Sequence, residues 1–365
     1  MFTSKKTAWI HIDVINRVED FINGKYPKSH LWGYPLGIGQ NIHFLNPLSK
    51  NKLIIFLCNL YQIITRNRFG DLIIEYSLLN KIHDYEKIYC LSGKLFWIPI
   101  LKKLRLIDTK LIILIYRIPE ASPFGKLHNL HLSTFILSAY DGINCLTQKT
   151  ANELTSILGT KKEIKYIPWC TDEMFFYDPK KTKSKYFFSS GKTNRDYKTL
   201  LQAIEKMHDQ KFLLIGHFPE FQKIKKYKNL KVLISEKNQT DTAVSYEVLK
   251  SYISESIAVC IPLNFDPDDT CGFTEMLEAM SMGKPILMTN SGCLDIDIEK
   301  EEIGLYVNPS DSKDWVKKIN YLTNNPRKAK KMGENGRKLI EKVYNISSYE
   351  IRIHNFLNKI STFTN

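Results

Sequence analysis

The sequence has no apolar run long enough to cross a bilayer, which takes about 20 residues in a helix. Its longest apolar runs are short enough for buried strands and comprise Leu53–Leu57, Leu111–Ile115 and Phe212–Ile215. The first residues, MFTSKKTAWIHID, contain no apolar segment of the length found in a signal peptide. We therefore expect a cytoplasmic protein.

Signals for cysteine pairing are also missing. The seven cysteines are scattered, odd in number and without CxxC spacing. This pattern argues against a disulfide framework and a zinc site, and it indicates a reducing compartment. Internal repeats and low-complexity segments are absent as well.

Acidic residues do not balance the basic ones. Lysine and arginine number 52 against 38 aspartates and glutamates, which gives a formal net charge of +14. Such a charge suits nucleic acid, an anionic membrane face or phosphorylated substrates, and it also fits a solvated, lysine-rich surface. Neither a zinc finger, a recognition-helix pattern nor a basic-aromatic RNA motif occurs, so nucleic acid is not an expected partner.

Two basic and aromatic segments, Ile98–Arg105 (IPILKKLR) and Leu60–Phe69, are candidates for contact with the inner face of the plasma membrane. An amphipathic helix with Lys102, Lys103 and Arg105 on one side would meet anionic lipid. The alternative is a core helix whose lysine face is solvated. The sequence thus leaves a peripheral membrane location open.

Short β-rich runs alternate with longer amphipathic stretches in both halves of the chain. In the first half, the pattern predicts strands at Thr7–Asp13, Leu53–Leu57, Leu72–Glu75, Lys87–Leu91, Leu111–Tyr116, Gly142–Leu146 and Ile164–Ile167. After a charged linker, DPKKTKSK, the alternation restarts at Tyr186–Ser190, and helices close the chain. We therefore predict an α/β protein with two doubly wound, Rossmann-like domains that face a cleft. They span residues 1–175 and 176–345, and residues 346–365 form a helix that crosses back to the first domain.

The stretch TCGFTEMLEAMSMGKP carries two glutamates, Glu275 and Glu278, one helical turn apart among apolar residues. Gly272 lets the backbone approach a ligand closely, and the helix start supplies free amides that suit an anion. Glu278 is crowded by apolar neighbours, so its carboxylate needs a partner such as vicinal hydroxyls. An anion site beside a carboxylate that accepts hydrogen bonds from vicinal hydroxyls predicts binding of a nucleoside diphosphate. For Glu275, a solvent-facing position is an equal alternative.

A second motif, SSGKTNRDYKTLLQAI, follows a predicted strand that ends at Ser190. Gly191 turns the chain, and Lys192 and Arg195 come directly after it. Ligands of doubly wound sheets bind beyond the C-terminal strand ends, so these cations are expected at the same site. Ordinary helix-start chemistry, with Asn194 or Asp196 as a cap, is the alternative.

These two motifs, in this order, resemble the donor site of GT-B glycosyltransferases, in particular the large retaining family with a two-glutamate signature (glycosyl transferases group 1). The resemblance implies that Glu278 holds the nucleotide ribose. It also implies that the amides of Gly272, Phe273 and Thr274 bind the donor diphosphate, together with the cations Lys192 and Arg195. The donor would be linked to UDP or GDP, and no metal would be required.

The first glutamate of the family signature is missing, because threonine stands at position 270. The resemblance then implies donor-sugar contacts from Asp269, Thr270 and Cys271, with Asp268 as the alternative to Asp269 for the missing carboxylate. The spacing from Gly272 to Glu278 is closer to that of inverting GT-B enzymes, so the stereochemical outcome stays open. The segments YIPWCTDEMFF, in which Asp172 is expected to be a turn residue, and IGLYVNPSDS onward resemble structural parts of the family.

The N-terminal half offers only candidates for the acceptor side. Glu120 follows the predicted strand Leu111–Tyr116, and His128 lies close to it in sequence. Either side chain is of the type that acts as a general base on an acceptor hydroxyl.

We accordingly predict an enzyme that moves a sugar from a nucleotide-sugar donor to a glycan or lipid-linked acceptor of a cell-surface polysaccharide. The alternatives are a sugar-nucleotide epimerase of the same architecture and a non-catalytic basic protein that binds membrane or nucleic acid.

Overall fold

A computed structural model describes residues 6–10, 14–34, 42–45, 51–65, 71–91, 95–117, 132, 134–178, 184–216, 227–234 and 244–362. The chain forms two compact units. Unit 1 comprises Met1–Glu19, Leu31–Pro168 and Glu350–Asn365, and unit 2 comprises Asp20–His30 and Trp169–Tyr349. A short stretch of the N-terminal half, residues 20–30, therefore belongs to the unit formed mainly by the C-terminal half.

Unit 1 is built on a six-stranded sheet in which every pair of neighbouring strands is parallel. Its strands are β1 (Lys6–Ile10), β2 (Ile42–Leu45), β3 (Tyr85–Cys90), β4 (Lys110–Ile115), β5 (Gly142–Cys145) and β6 (Glu163–Tyr166). They lie in the order β2-β1-β3-β4-β5-β6. The central strands are almost wholly buried, because helices cover both faces of a parallel sheet.

The helices of the first half are α1 (Val14–Ile22), α2 (Lys52–Thr65), α3 (Leu72–Leu79), α4 (Trp97–Lys103) and α5 (Gln148–Leu158). Two of them correct the sequence analysis, because Leu53–Leu57 and Leu72–Glu75 were predicted to be strands. An apolar run alone does not separate a buried strand from a helix. At the start of α3, the Asp71 Oδ1 caps the helix by accepting hydrogen bonds from the Ile73 and Ile74 amides.

Unit 2 contains a second six-stranded parallel sheet. Its strands are β7 (Tyr186–Ser189), β8 (Phe212–Gly216), β9 (Leu230–Ile234), β10 (Ser256–Ile261), β11 (Ile286–Thr289) and β12 (Gly304–Val307). They lie in the order β12-β11-β10-β7-β8-β9. The chain leaves β7 toward one edge through β8 and returns to the other side at β10, so the topological switch point lies between β7 and β10.

The helices of the second half are α6 (Tyr197–Ile204), α7 (Tyr246–Ser254), α8 (Phe273–Ser281), α9 (Ser312–Asn324), α10 (Pro326–Leu339) and α11 (Ile346–Thr362). Helix α8 is the most buried of them, because seven consecutive residues from Glu275 to Ser281 are buried. Helix α10 packs closely on it through Gly336, where an added Cβ would lie 3.3 Å from the Met280 Cα.

Both units thus have the doubly wound α/β architecture that the alternation of strands and helices predicts. Within the described residues, no helix is at once long and apolar enough to cross a membrane.

Candidate functional site

The C-terminal ends of β7 and β10 lie next to each other at the switch point of unit 2, and two loops leave from them. The first loop comprises residues 190–196 and the second comprises residues 262–272. A β-bridge between Arg195 and Leu263, flanked by backbone hydrogen bonds, joins the two loops. Ligands of open α/β sheets bind at such a point, so these loops form the candidate site.

Gly191 makes the turn of the first loop. Its φ of +109° lies in the region that favours glycine. An added Cβ would lie 2.8 Å from the Arg195 Cζ, so the guanidinium packs directly over the glycine. Arg195 fixes the turn further, because its Nε donates to the Ser190 carbonyl and its Nη1 to the Thr193 carbonyl.

Arg195 and Glu275 form a buried ion pair. The Arg195 Nη2 lies 2.9 Å from the Glu275 Oε2, and each side chain is only 5 % exposed. The Glu275 Oε1 accepts hydrogen bonds from the Ser190 amide, at 2.6 Å, and from the Ser190 hydroxyl, at 3.1 Å. Burial raises the pKa of Glu275 to about 7, although Arg195 and Ser190 favour its ionised form. Glu275 is therefore buried rather than solvent-facing, and it links the end of β7 to helix α8.

Asp269 organises the second loop. Its Oδ1 accepts hydrogen bonds from the amides of Thr270, at 2.8 Å, and Cys271, at 3.1 Å. Its Oδ2 accepts a hydrogen bond from the side-chain Nδ2 of Asn194, in the first loop, at 2.5 Å. Burial alone would raise the pKa of Asp269, but these hydrogen bonds outweigh it and lower the pKa. Both carboxylate oxygens thus hold the loops in place.

Gly272 begins helix α8 in the left-handed conformation, with a φ of +85°. An added Cβ would lie 2.7 Å from the Ile261 Cγ2, so the loop packs tightly on the end of β10. The first amides of a helix have no acceptor within it, and those of Thr274 and Glu275 are therefore directed out of the helix start. Because the Thr274 side chain is exposed, this end of the helix is accessible to an anion.

Glu278 lies one turn further along α8, and it is 4 % exposed. Burial raises the pKa of its carboxyl group to about 8. The Oε1 of Glu278 lies 3.6 Å from the Nε2 of His30, which is within ion-pair range but longer than a hydrogen bond. Burial thus favours the neutral carboxyl, while a protonated imidazole beside it would favour the carboxylate.

His30 comes from the N-terminal stretch of unit 2 and is held there by aromatic rings. Its ring centroid lies 5.1 Å from that of Tyr246 and 6.1 Å from that of Trp169. The backbone of the stretch is anchored where the Lys28 amide donates to the Asp172 Oδ2, at 2.7 Å. His30 therefore belongs to the same unit as Glu278 despite the distance between them in sequence.

The structure places the predicted donor-site residues on these two loops and on α8. They are Lys192, Arg195, Asp269, Thr270, Cys271, Gly272, Phe273, Thr274 and Glu278. The Phe273 side chain is buried, and its amide donates to the Thr270 carbonyl at 3.4 Å. Asp172 is a turn residue, as predicted, because its Oδ1 accepts hydrogen bonds from the Met174 and Phe175 amides. Glu120 and His128 lie outside the described residues.

Two residues of the site, His30 and Asn194, were not among those predicted. His30 carries no local signal, because nothing in HLWGYPLGIGQN links it to a helix more than 240 positions away. Asn194 was considered only as a helix cap. Its φ of 52° and its hydrogen bond to Asp269 show that it joins the two loops instead.

One family model matches the C-terminal half of the chain. Residues 171–339 match the family model described as "Glycosyl transferases group 1". No curated protein matches the sequence. The match confirms the resemblance to this family, and the enzyme class, glycosyltransferase, that the two motifs predicted.

Solved structures show the same fold across the whole chain. Sucrose-phosphate synthase from Thermosynechococcus elongatus is 14 % identical with a TM-score of 0.67, covering 99 % of this chain and 100 % of that one. HepE from Anabaena in complex with UDP-glucose is 12 % identical with a TM-score of 0.64, covering 98 % and 100 %. A glycosyltransferase from Rickettsia africae is 14 % identical with a TM-score of 0.63, covering all of both chains. At these identities the likeness establishes the GT-B fold.

Proposed function

We propose, from the glycosyltransferase group 1 domain that residues 171–339 contain, that this site binds a nucleoside-diphosphate sugar and transfers the sugar to a hydroxyl acceptor. One observation carries the proposal. The accessible start of helix α8 at Gly272 and the carboxyl group of Glu278, less than two turns apart, lie together at the switch point of the sheet. Amides suit a diphosphate, and a carboxylate suits the vicinal hydroxyls of a ribose.

The residues divide between binding and support. The amides of Gly272 and Thr274 at the start of α8 and the Lys192 side chain bind the diphosphate, and Glu278 binds the ribose. Phe273 was predicted to add a third amide, but that amide donates to the Thr270 carbonyl. Arg195 was predicted to bind the diphosphate, but three of its nitrogens are engaged by Glu275, Ser190 and Thr193. We therefore assign it the role of holding the loop that carries Lys192.

Asp269 has a comparable supporting role. Because both of its oxygens accept hydrogen bonds within the loops, it orients Thr270 and Cys271. These two half-buried residues are then the proposed contacts of the donor sugar.

Departure of the nucleoside diphosphate is the step that these groups assist. Negative charge grows on the diphosphate as the bond to the sugar breaks. Preorganised amides and a cation stabilise that charge without reorganisation. A uridine donor is the first choice, because HepE, which shares the fold, was solved in complex with UDP-glucose.

The donor proposal is tested by calorimetric titration with UDP, GDP and ADP. We expect tight binding of one nucleotide, weaker binding by Lys192→Met and by Glu278→Gln, and no change for the exposed control Glu247→Gln. At a hundredfold excess over Kd, binding should also stabilise the fold by about 2.7 kcal/mol. Binding of no nucleotide, or equal binding by both variants and wild type, would refute the proposed site.

We also propose that unit 1 contacts an anionic membrane, where a lipid-linked acceptor would be found. Helix α2 presents a stripe of apolar side chains at helical spacing that are 42 to 73 % exposed: Leu53, Phe56, Leu57, Leu60, Ile63 and Ile64. On the opposite face, Cys58 is buried. An apolar helical stripe directed outward is typical of helices that lie in a membrane interface.

Helix α4 supports the same surface. The Trp97 Nε1 donates to the Tyr61 hydroxyl of α2 at 2.9 Å, so the two helices are joined. After α4, Leu104 and Leu106 are 63 and 64 % exposed, and Arg105 lies between them. Exposed leucines with an interposed cation favour an anionic lipid surface.

Sedimentation with vesicles of phosphatidylcholine, with and without phosphatidylglycerol, tests the membrane proposal. We expect sedimentation only with the anionic vesicles, loss of it in the double variant Phe56→Ser, Ile63→Ser, and no loss in Ile351→Ser, which removes an equally exposed apolar residue elsewhere. Sedimentation of the double variant like wild type would contradict the proposal.

A further inference from the structure

His30 and Glu278 lie in contact in unit 2, although His30 belongs to neither of the two donor-site motifs. His30 lies outside residues 171–339, the part of the chain that matches the family model. Its Nε2 is 3.6 Å from the Glu278 Oε1, and the two side chains are 13 and 6 % exposed. An imidazole from the N-terminal half thus shares a nearly dry environment with the carboxyl group.

Within this environment, the protonation state of Glu278 decides how strongly it binds a ribose. A neutral carboxyl group donates one hydrogen bond and accepts others, whereas a carboxylate accepts from two hydroxyls at both oxygens and forms stronger, charge-assisted hydrogen bonds. Burial alone drives the group toward the neutral form and raises its pKa to about 8. A neighbouring group must lower the pKa of Glu278 if the carboxylate is to be present at neutral pH.

We infer that His30 is a positioning residue of the donor site, whose protonated imidazole keeps Glu278 ionised and oriented toward the ribose hydroxyls. An opposite charge within about 4 to 6 Å favours the ionised form of a carboxyl group. The inference rests on the proposed function, because it assumes that Glu278 contacts the nucleotide.

The groups around the pair fit this assignment. From α8, Glu275 lies one turn away, and its own charge is balanced by Arg195. From α7 and from the N-terminal stretch, Tyr246 and Tyr26 pack against the His30 ring, with centroids 5.1 and 5.8 Å from it. These aromatic walls hold the imidazole in place, so its position is set before any ligand arrives.

The test measures the affinity for UDP by calorimetry between pH 7 and 9.5, where the diphosphate, with a last pKa of about 6, stays ionised. The variants are His30→Phe, which keeps an aromatic ring, and His30→Gln, which keeps a polar side chain. His208→Gln, at an exposed histidine of the same unit, is the matched control. Thermal unfolding of each variant verifies that it folds.

We expect both His30 variants to bind UDP up to about tenfold more weakly than wild type at pH 7, which corresponds to a rise of one unit in the pKa of Glu278. The difference should shrink toward pH 9.5, because the carboxyl group ionises there without help. The control should match wild type at every pH. This convergence with rising pH is a result that a merely structural role would not produce.

Three results would count against the inference, and they separate it from the proposed function. If the His30 variants match wild type at every pH while Glu278→Gln binds weakly, the inference fails and the donor site stands. If the His30 variants are equally weak at all pH values, His30 supports packing only. If Glu278→Gln binds UDP like wild type, the proposed ribose contact fails and the inference fails with it.

Discussion

Replacement of Arg195 by methionine tests whether the site is held together by its buried ion pair. Methionine keeps most of the apolar length of the side chain and removes the guanidinium. Glu275 would keep its hydrogen bonds from Ser190, at 2.6 and 3.1 Å, but lose the contact at 2.9 Å on its other oxygen. Both side chains are 5 % exposed, so water cannot replace the lost partner without a rearrangement.

Removing one partner of a buried pair costs about 3 to 5 kcal/mol, because the remaining charge is left uncompensated. The pH dependence follows from the pKa of Glu275. Burial already raises it to about 7 in the wild type, and loss of Arg195 removes a group that lowers it, so the pKa rises further. A carboxyl group whose pKa is raised on folding destabilises the fold as pH increases. The difference in free energy of unfolding between variant and wild type should therefore increase above pH 7, by up to about 1.4 kcal/mol per pH unit.

Urea unfolding followed by tryptophan fluorescence at pH 6, 7 and 8 measures this gap, and Trp315 in unit 2 provides a buried probe. The matched control is Lys185→Met, which breaks an ion pair of 2.7 Å whose lysine is 53 % exposed. We expect the control to cost less than about 1 kcal/mol, because solvent screens exposed pairs. A cost for Arg195→Met as small as that of the control, with no dependence on pH, would refute the structural role given to the pair.

Two further predictions concern helix α8. Burial raises the pKa of Glu278 to about 8, so the cost of this carboxyl group to stability is absent below about pH 4.5 and grows up to pH 8. Glu278→Gln should therefore unfold at a higher temperature than wild type at pH 8 but not at pH 5. A difference in unfolding temperature that is constant with pH would contradict this. Gly272→Ala should lose about 1 to 3 kcal/mol from its φ of +85° and more from the overlap with Ile261. The control is Gly24→Ala, which has a φ of +72° and open space around it, so it measures the backbone cost. Equal losses in urea unfolding would show that the overlap is relieved.

The fold class could be predicted from sequence because strands and helices alternate in both halves, but single elements were less secure. Leu53–Leu57 is apolar throughout, and Leu72–Glu75 is apolar up to its last residue. Such short runs fit a strand as well as a buried helix. Asp71, immediately before Leu72, was a helix-start signal that would have corrected the second of them. The short strand β2 has no pattern of its own and forms by pairing with β1.

The site shows the same limit at the level of side chains. Gly272, Lys192 and Glu278 could be proposed because each follows a strand or starts a helix, which is local information. The pairing of Arg195 with Glu275 spans 80 positions, and the contact of His30 with Glu278 crosses most of the chain. Such partners depend on how strands are ordered in the sheet, and the local patterns of one sequence do not reveal that order.

The placement of residues 20–30 in unit 2 bears on how the protein is made. The Lys28 amide and its acceptor Asp172 are 144 positions apart, so Lys28 leaves the ribosome long before its partner is synthesised. At the usual pace of translation, about 5 to 20 residues per second, the stretch waits several seconds or more without the surface it packs on. A nascent chain paused before Trp169 would therefore expose Tyr26 and His30 to chaperones. Because each unit is made of separate chain segments, cleavage of a single peptide bond cannot divide the chain into two independently folding halves.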